Sequence, residues 1–363
     1  MTTRTQPIRR NAGEEAVPYV GPDRLSDLPD ALRLKIFSSL DAREVAQTCI
    51  LSKRWRNLWA SVPCLHFDYA AFSSQPSEGS HKRFMKFVTS FLLSIDKATK
   101  LDIFHLSCCL DGDDFYDNIG IDMSYFACVW ITVAVERKLK KLQLELLYYD
   151  CLRVPDSLFV SKDVCFGNLK LLSVSYGFFD YLDIPFTVPR LEYLFLDVVT
   201  IDRISSNKIH KLTEASITCH IFEECDVLGS LVNVEVLQFR SSSLMDVLEK
   251  ALQKSLIFDK LRRLTLGECC MICAFDFLSS LLEHTPKLEN LTLLHEILHG
   301  GKCWQVNGGH GQKSRENIGW FYCKCLKKVE ISCTTSDGVP QLVQLVKLST
   351  MRLNGVLVVV SNL

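Results

Sequence analysis

Leu28, Leu32, Ile36 and Leu40 recur every four residues with Phe37 beside them. That spacing predicts an amphipathic helix, and Pro29 stands where a first helical turn tolerates proline. Asp41 followed by Glu44 has the form of a capping box and predicts a second helix carrying Val45 and Cys49. Ser52 is placed to cap a third, with Trp55, Leu58 and Trp59 at i, i+3 and i+4. Of the 41 residues from 25 to 65, 21 are apolar. So short a unit does not bury that much surface within itself, so part of it packs on the rest of the chain or on a partner.

Beyond a serine, proline and glycine loop, SSQPSEGS (73–80), the pattern changes to one that repeats. Leucine-x-x-apolar-x-apolar, with valine once in first place, begins at Leu101, Leu139, Leu169, Leu191, Leu212, Val234, Leu261, Leu288 and Leu326. The starts are separated by 38, 30, 22, 21, 22, 27, 27 and 38 residues. Most of these intervals fall in the roughly 20 to 29 residue range of leucine-rich repeats. Each unit offers one short strand with one buried face, and stacking joins the strands into a parallel sheet, an α/β solenoid. Helical connectors are legible at 83–96, 124–138 and 275–286. The Asn or Cys that usually follows the strand is present only as Cys109 and Cys269, so the turns must vary. Such an array presents a concave surface suited to a protein or peptide partner, the alternative being a purely structural scaffold.

Composition narrows this further. The chain has 363 residues, 48% hydrophobic and 23% charged, with a formal net charge of -1. Apolar content this high excludes a mostly disordered chain, and near-zero charge removes the field a general nucleic-acid binder uses. No stretch of about 18 apolar residues is present to span a membrane. The first twenty residues are charged and lack the apolar core of a secretory signal, so the expectation is a soluble protein of the nucleus, the cytoplasm or both. In that reducing context the sixteen cysteines read as free thiols, mostly among apolar neighbours.

LSDLPDALRLKIFSSL, then Val45, then LSKRWRNLW closely resembles the F-box motif in the form common in plant F-box proteins with leucine-rich repeats. The resemblance covers about 40 residues and requires Leu-Pro-Asp, Ile-Phe and Leu-Ser-Lys-Arg-Trp-Arg in order. It implies docking on the Skp-type adaptor of a cullin-RING ubiquitin ligase. Leu28, Pro29, Ile36, Leu40, Val45, Leu51, Trp55 and Trp59 are then the positions expected to form or support the adaptor surface. The segment FYCKCLKKVEISCTTSDGVPQLVQLVKL resembles the FBD region that follows the repeats in many of these proteins, with NGVLVVVSNL approximating its closing strand. The resemblance implies an N-terminal arm (1–22), an F-box (23–65), a repeat solenoid (66–298), a glycine-rich loop (299–319) and an FBD-like end (320–363). It implies a non-catalytic substrate receptor whose partners are the adaptor, the cullin beyond it and a target protein, with no cofactor, nucleic acid or membrane.

Several constellations point to other chemistry. His295-Glu296-Ile297-Leu298-His299 is an HExxH string, which on a helix sets two imidazoles on one face to bind zinc with the glutamate as general base. LENLTLL before it reads as a strand, and Gly300-Gly301 after it would break a helix. Glu316, a distant third-ligand candidate, sits in a glycine-rich loop. A zinc hydrolase is the rival reading. A scaffold that recruits no ligase is a third. Cys270, Cys273, Cys303, His310, Cys323 and Cys325 include one two-residue knuckle where a zinc signature has two. Asp111, Asp113, Asp117 and Asp122 sketch a calcium loop, but Phe115 and Tyr116 hold its fifth-ligand and glycine positions. HGGKCW (299–304) faintly resembles a hydrolase oxyanion segment, without a G-x-S-x-G nucleophile, and the chain has no P-loop.

Overall fold

Nine strands begin two residues after the leucine or valine that opens each predicted hexad. In the computed structural model the residues described are 27–72, 79–108, 119–145, 166–175, 178–179, 190–201, 211–221, 227–241, 244–269, 271–272, 274–295, 321, 323–333, 339–351, 353 and 355–362. The strands are β1 (Cys64–Asp68), β2 (Ile103–Ser107), β3 (Lys141–Glu145), β4 (Leu171–Ser175), β5 (Phe178–Phe179) and β6 (Tyr193–Ile201). They continue with β7 (Glu214–Ile221), β8 (Val236–Arg240), β9 (Arg263–Cys269), β10 (Asn290–His295), β11 (Lys328–Cys333) and β12 (Leu357–Asn362). All lie in one 12-stranded parallel sheet that follows chain order, with β5 off the path beside β6.

The grammar explains the order. Leu101, Phe104 and Leu106 of the first hexad are fully buried, and the equivalent positions of the next repeats stack on them. Because the apolar residues alternate, one face of each strand is enclosed and the other stays open. The residue before each of β2, β4 and β6 to β11 donates its N–H to the equivalent carbonyl one strand back, as Glu192 does to Lys170 at 2.9 Å and Glu289 does to Arg262 at 2.8 Å. The side chains at this position clasp along the same line: Lys140 to Asp102, Lys170 to Glu192, and Glu289 to both Arg262 and Lys327.

The helices are α1 (Asp30–Phe37), α2 (Ala42–Gln47), α3 (Lys53–Leu58), α4 (Tyr69–Phe72), α5 (Ser80–Ser94) and α6 (Ile119–Glu136). Then come α7 (Val227–Ser230), α8 (Leu244–Gln253), α9 (Phe275–Glu283) and α10 (Val339–Thr350). The three predicted connectors are α5, α6 and α9. The LVQLV segment is α10, and the approximated closing strand is β12, fully in register with β11. Asp122 of the sketched calcium loop falls within α6, while Asp111, Asp113 and Asp117 lie outside the described residues. No helix is long and apolar enough to cross a membrane among the described residues.

Among the described residues three strands are not opened by one of the nine hexads: β1, the two-residue β5 and β12. β1 follows directly from the third N-terminal helix, with buried Val62, Leu65 and Phe67 repeating the same alternation. The N-terminal helices therefore run straight into the first rung of the sheet.

Candidate functional site

The capping box forms as expected: Glu44 N–H donates to Asp41 Oδ1 at 2.7 Å and Asp41 N–H to Glu44 Oε2 at 3.1 Å. Ser52 takes the N-cap position of α3 in extended backbone, but its side chain makes no capping bond. In α1 the structure reverses the simplest reading of the four-residue stripe. Leu32 and Ile36 are exposed, and the packed face is Arg33 and Phe37, both at 0%. Phe37 meets Trp55 edge-on with centroids 5.2 Å apart, and the Arg33 guanidinium lies over the same indole at 5.8 Å. Arg33 pairs with Asp30, while its Nε and Nη1 and the Trp55 Nε1 have no hydrogen-bond partner. The sequence pattern, which rewards apolar residues, gave no sign that an arginine would be a core member.

The predicted adaptor residues separate into three groups. Val45 and Trp55 are buried and belong to the module's own interior. Leu28, Leu40 and Trp59 are half-buried, with Leu40 and Trp59 packed against the core. Pro29, Ile36 and Leu51 are exposed, joined by Leu32 and by Ile50, which is 85% exposed. The opposite side of the module is attached to the repeats. Arg43 Nη1 donates to Phe72 O at 2.7 Å, Asp96 N–H to Ala60 O at 3.0 Å and Asp102 N–H to Pro63 O at 2.7 Å.

A second surface comes from the register. The fifth residue of each hexad lies in one row across the open face: His105, Gln143, Ser173, Phe195, Ser216, Gln238, Thr265, Thr292 and Glu330. His66 extends it at one end and Val359 at the other, and every member is half-buried. Hydroxyls and amides dominate the middle, and Phe195, with Tyr193 two residues before it on the same face, supplies an aromatic anchor. Sequence reasoning missed this row, although aligning the nine hexads on their first leucine would have revealed it.

At the start of the row His66 Nε2 lies 3.2 Å from Ser38 O, at the end of α1, in hydrogen-bond geometry. The His66 and His105 rings meet edge-on at 5.7 Å, and His105 Nε2 lies 3.2 Å from Glu145 Oε1, at ion-pair distance without hydrogen-bond alignment. Burial, then the neighbouring His105, lowers the His66 pKa, against the Ser38 carbonyl and Asp41, which raise it.

His295 is fully buried in strand β10, and its Nδ1 accepts the Met271 N–H at 3.3 Å. A strand places successive side chains on opposite faces, so the helical geometry that HExxH chemistry needs is not present at His295. With Nδ1 accepting that bond, its lone pair is engaged and not offered to a metal. Glu296, His299, Glu316 and the glycine-rich loop lie outside the described residues. So do Cys270, Cys273, Cys303 and His310. Cys323 is buried and its thiol donates to Thr285 O and Leu288 O, both at 3.2 Å, while Cys325 is exposed. Burial pushes the Cys128 thiol up to about 11 and also raises Cys323. No group of three or more potential metal ligands occurs among the described residues.

A three-helix module with an exposed apolar face, continuous with a parallel sheet of leucine-rich hexads, defines the class of fold. Residues 25–67 match the F-box domain family. Over 180 residues the chain is 35% identical to the F-box/FBD/LRR-repeat protein At3g51530 of Arabidopsis thaliana, covering 49% of this chain and 34% of that protein. It is 31% identical over 230 residues to the F-box/FBD/LRR-repeat protein At2g04230 of the same plant, covering 61% and 45%. It is 27% identical over 337 residues to the FBD-associated F-box protein At5g56370, also of Arabidopsis thaliana, covering 75% of each. The chain thus spans under half the length of the first two relatives. The chain carries an F-box domain and is similar to F-box/FBD/LRR-repeat proteins over the stretches that align.

Proposed function

We propose that the chain is the substrate-recognition subunit of a Skp/cullin/F-box ubiquitin ligase, acting in the nucleus, the cytoplasm or both. Its F-box docks on a Skp-type adaptor and through it on a cullin. The open face of its sheet holds a target protein through the half-buried row that contains Phe195. The observation that carries this reading is the division within the F-box: one side is built into the repeats, while Leu32, Ile36, Ile50 and Leu51 remain in solvent. Large aliphatic residues grouped on so small a module mark a surface that another protein covers.

On this reading no side chain of the chain takes part in bond making. The ligase works by proximity, raising the effective concentration of target lysines near a ubiquitin-charged conjugating enzyme. The strand geometry at His295 supports a receptor over a zinc hydrolase.

Co-purification with a Skp-type adaptor is the test. Wild type captures the adaptor, and Ile36→Asp combined with Ile50→Asp abolishes capture while thermal melting stays near wild type. A wild-type chain that ignores the adaptor overturns the proposal in favour of a scaffold that recruits no ligase.

A further inference from the structure

Helix α6 is unusual for a surface helix in being apolar almost all the way round: between Ile119 and Glu136 its only charged residues are Asp122 and Glu136. A helix of that composition is ordinarily enclosed on every side. One side is enclosed, by burial of Ala127, Trp130, Ile131 and Ala134. Another is open, with Tyr125 68% and Val129 39% exposed.

The neighbouring helix fixes what borders that open side. Trp130 Nε1 donates to Thr89 Oγ1 at 3.0 Å, and Arg137 Nη2 donates to Leu92 O at 3.2 Å, so α5 and α6 run parallel with their C-terminal ends together. Helical spacing then sets Lys82, Lys86 and Leu93 of α5 along one solvent-side bank of the seam, and Tyr125, Val129 and Val133 of α6 along the other. Leu93 is 78% exposed. Lys82 and Lys86 are exposed and join no ion pair among the described residues.

We infer that the seam between α5 and α6 binds an amphipathic helix of a partner protein, its apolar face covering Tyr125, Val129 and Leu93 and its acidic edge meeting Lys82 and Lys86. A helix laid in a groove between two others is a standard mode of peptide recognition, read through anchors at i, i+3 or i+4 and i+7. The charge selects the occupant. A second copy would present the same lysine-bordered face, whereas an acidic edge is complementary to it. This site lies on the helix side of the sheet, apart from both the F-box face and the open strand row, so it adds a third contact surface to the proposed receptor.

The probes are two synthetic helices with the same leucine face, one edged with glutamate and one with lysine, measured by fluorescence anisotropy against the full chain. Phosphatidylserine vesicles form a third arm. The glutamate-edged helix binds, and the lysine-edged one is weaker by about tenfold or more. Val129→Asp, and Lys82→Glu with Lys86→Glu, each weaken the glutamate-edged helix by a similar factor while melting and adaptor capture stay unchanged. Equal affinity for both helices, no binding, or indifference to these substitutions overturns the inference. So does vesicle binding that these substitutions abolish in the absence of helix binding.

Discussion

Trp59 packs its ring on that of Phe91, centroids 5.0 Å apart and planes at 53°. One ring stands just after the last F-box helix and the other in the first repeat helix, so this contact is a joint between two modules. It is reinforced on the same flank by the Ala60 carbonyl, which accepts from Asp96 N–H at 3.0 Å.

Replacing Trp59 by alanine therefore costs about 2–4 kcal/mol, somewhat less than a fully buried tryptophan because one side of the ring meets solvent. Chemical denaturation reads the loss. A two-step unfolding curve in the variant, against one step in wild type, would show that the joint makes the modules cooperative; an unchanged midpoint would mean that backbone bonds alone hold it.

The histidine pair predicts a pH response. His66 has a folded pKa below its usual 6.5, so above that value its contribution to stability is complete. As pH falls below 6.5 the unfolded chain takes up a proton that the folded chain refuses, and stability is lost until the folded value is passed. Glu289 and Glu330 are both shifted downward from 4.5, by Lys327 and Lys328 respectively, and so act in a more acidic range. Melting temperature should drop between neutral pH and about pH 5, and His66→Gln should flatten that slope. Equal slopes in the two proteins would remove His66 as the cause.

His295→Ala deletes a buried ring and leaves the Met271 N–H without its acceptor, a loss of about 2–4 kcal/mol. Metal content, measured by inductively coupled plasma mass spectrometry, should be the same in wild type and variant. Stoichiometric zinc in wild type that disappears with His295 would revive the hydrolase reading.

Gly267 gives a packing prediction. A Cβ there would lie 2.7 Å from Leu294 Cβ on the adjoining strand, inside any tolerable contact. Gly267→Ala should destabilise by about 1–3 kcal/mol, and adding Leu294→Gly, which removes the opposing Cβ, should recover part of the loss. Strict additivity of the two substitutions would show that the residues do not compete for space.

Much of the fold was legible because a repeated hexad states its own register: once Leu101 and Leu139 are equivalent, β2 and β3 must pair. The two end strands were harder, since Val62 opens a hexad hidden behind Pro63 and Cys64, and Gly355 stands where β12 would have its leucine. Periodicity in α1 was correct about the helix and silent about its direction. Arg33 occupies the packed face because Trp55 and Asp30 together accommodate its charge, a three-dimensional fact that no four-residue stripe encodes. The sorting of Val45 and Trp55 from Ile36 and Leu51 had the same origin, since all four are apolar and only the packing of the helices in three dimensions decides which are covered.

Because β1 grows out of the F-box and every later strand is added in sequence order, position along the sheet is also distance from the F-box helices. Each strand adds about 4.8 Å, so the ten steps from β1 to β12 describe an arc of about 48 Å. The molecule is in effect a graduated rule. Removing one whole repeat would shift everything beyond it by one graduation and leave both ends chemically intact, so the span between the F-box and any later strand can be set by counting units, independently of the side chains each unit displays.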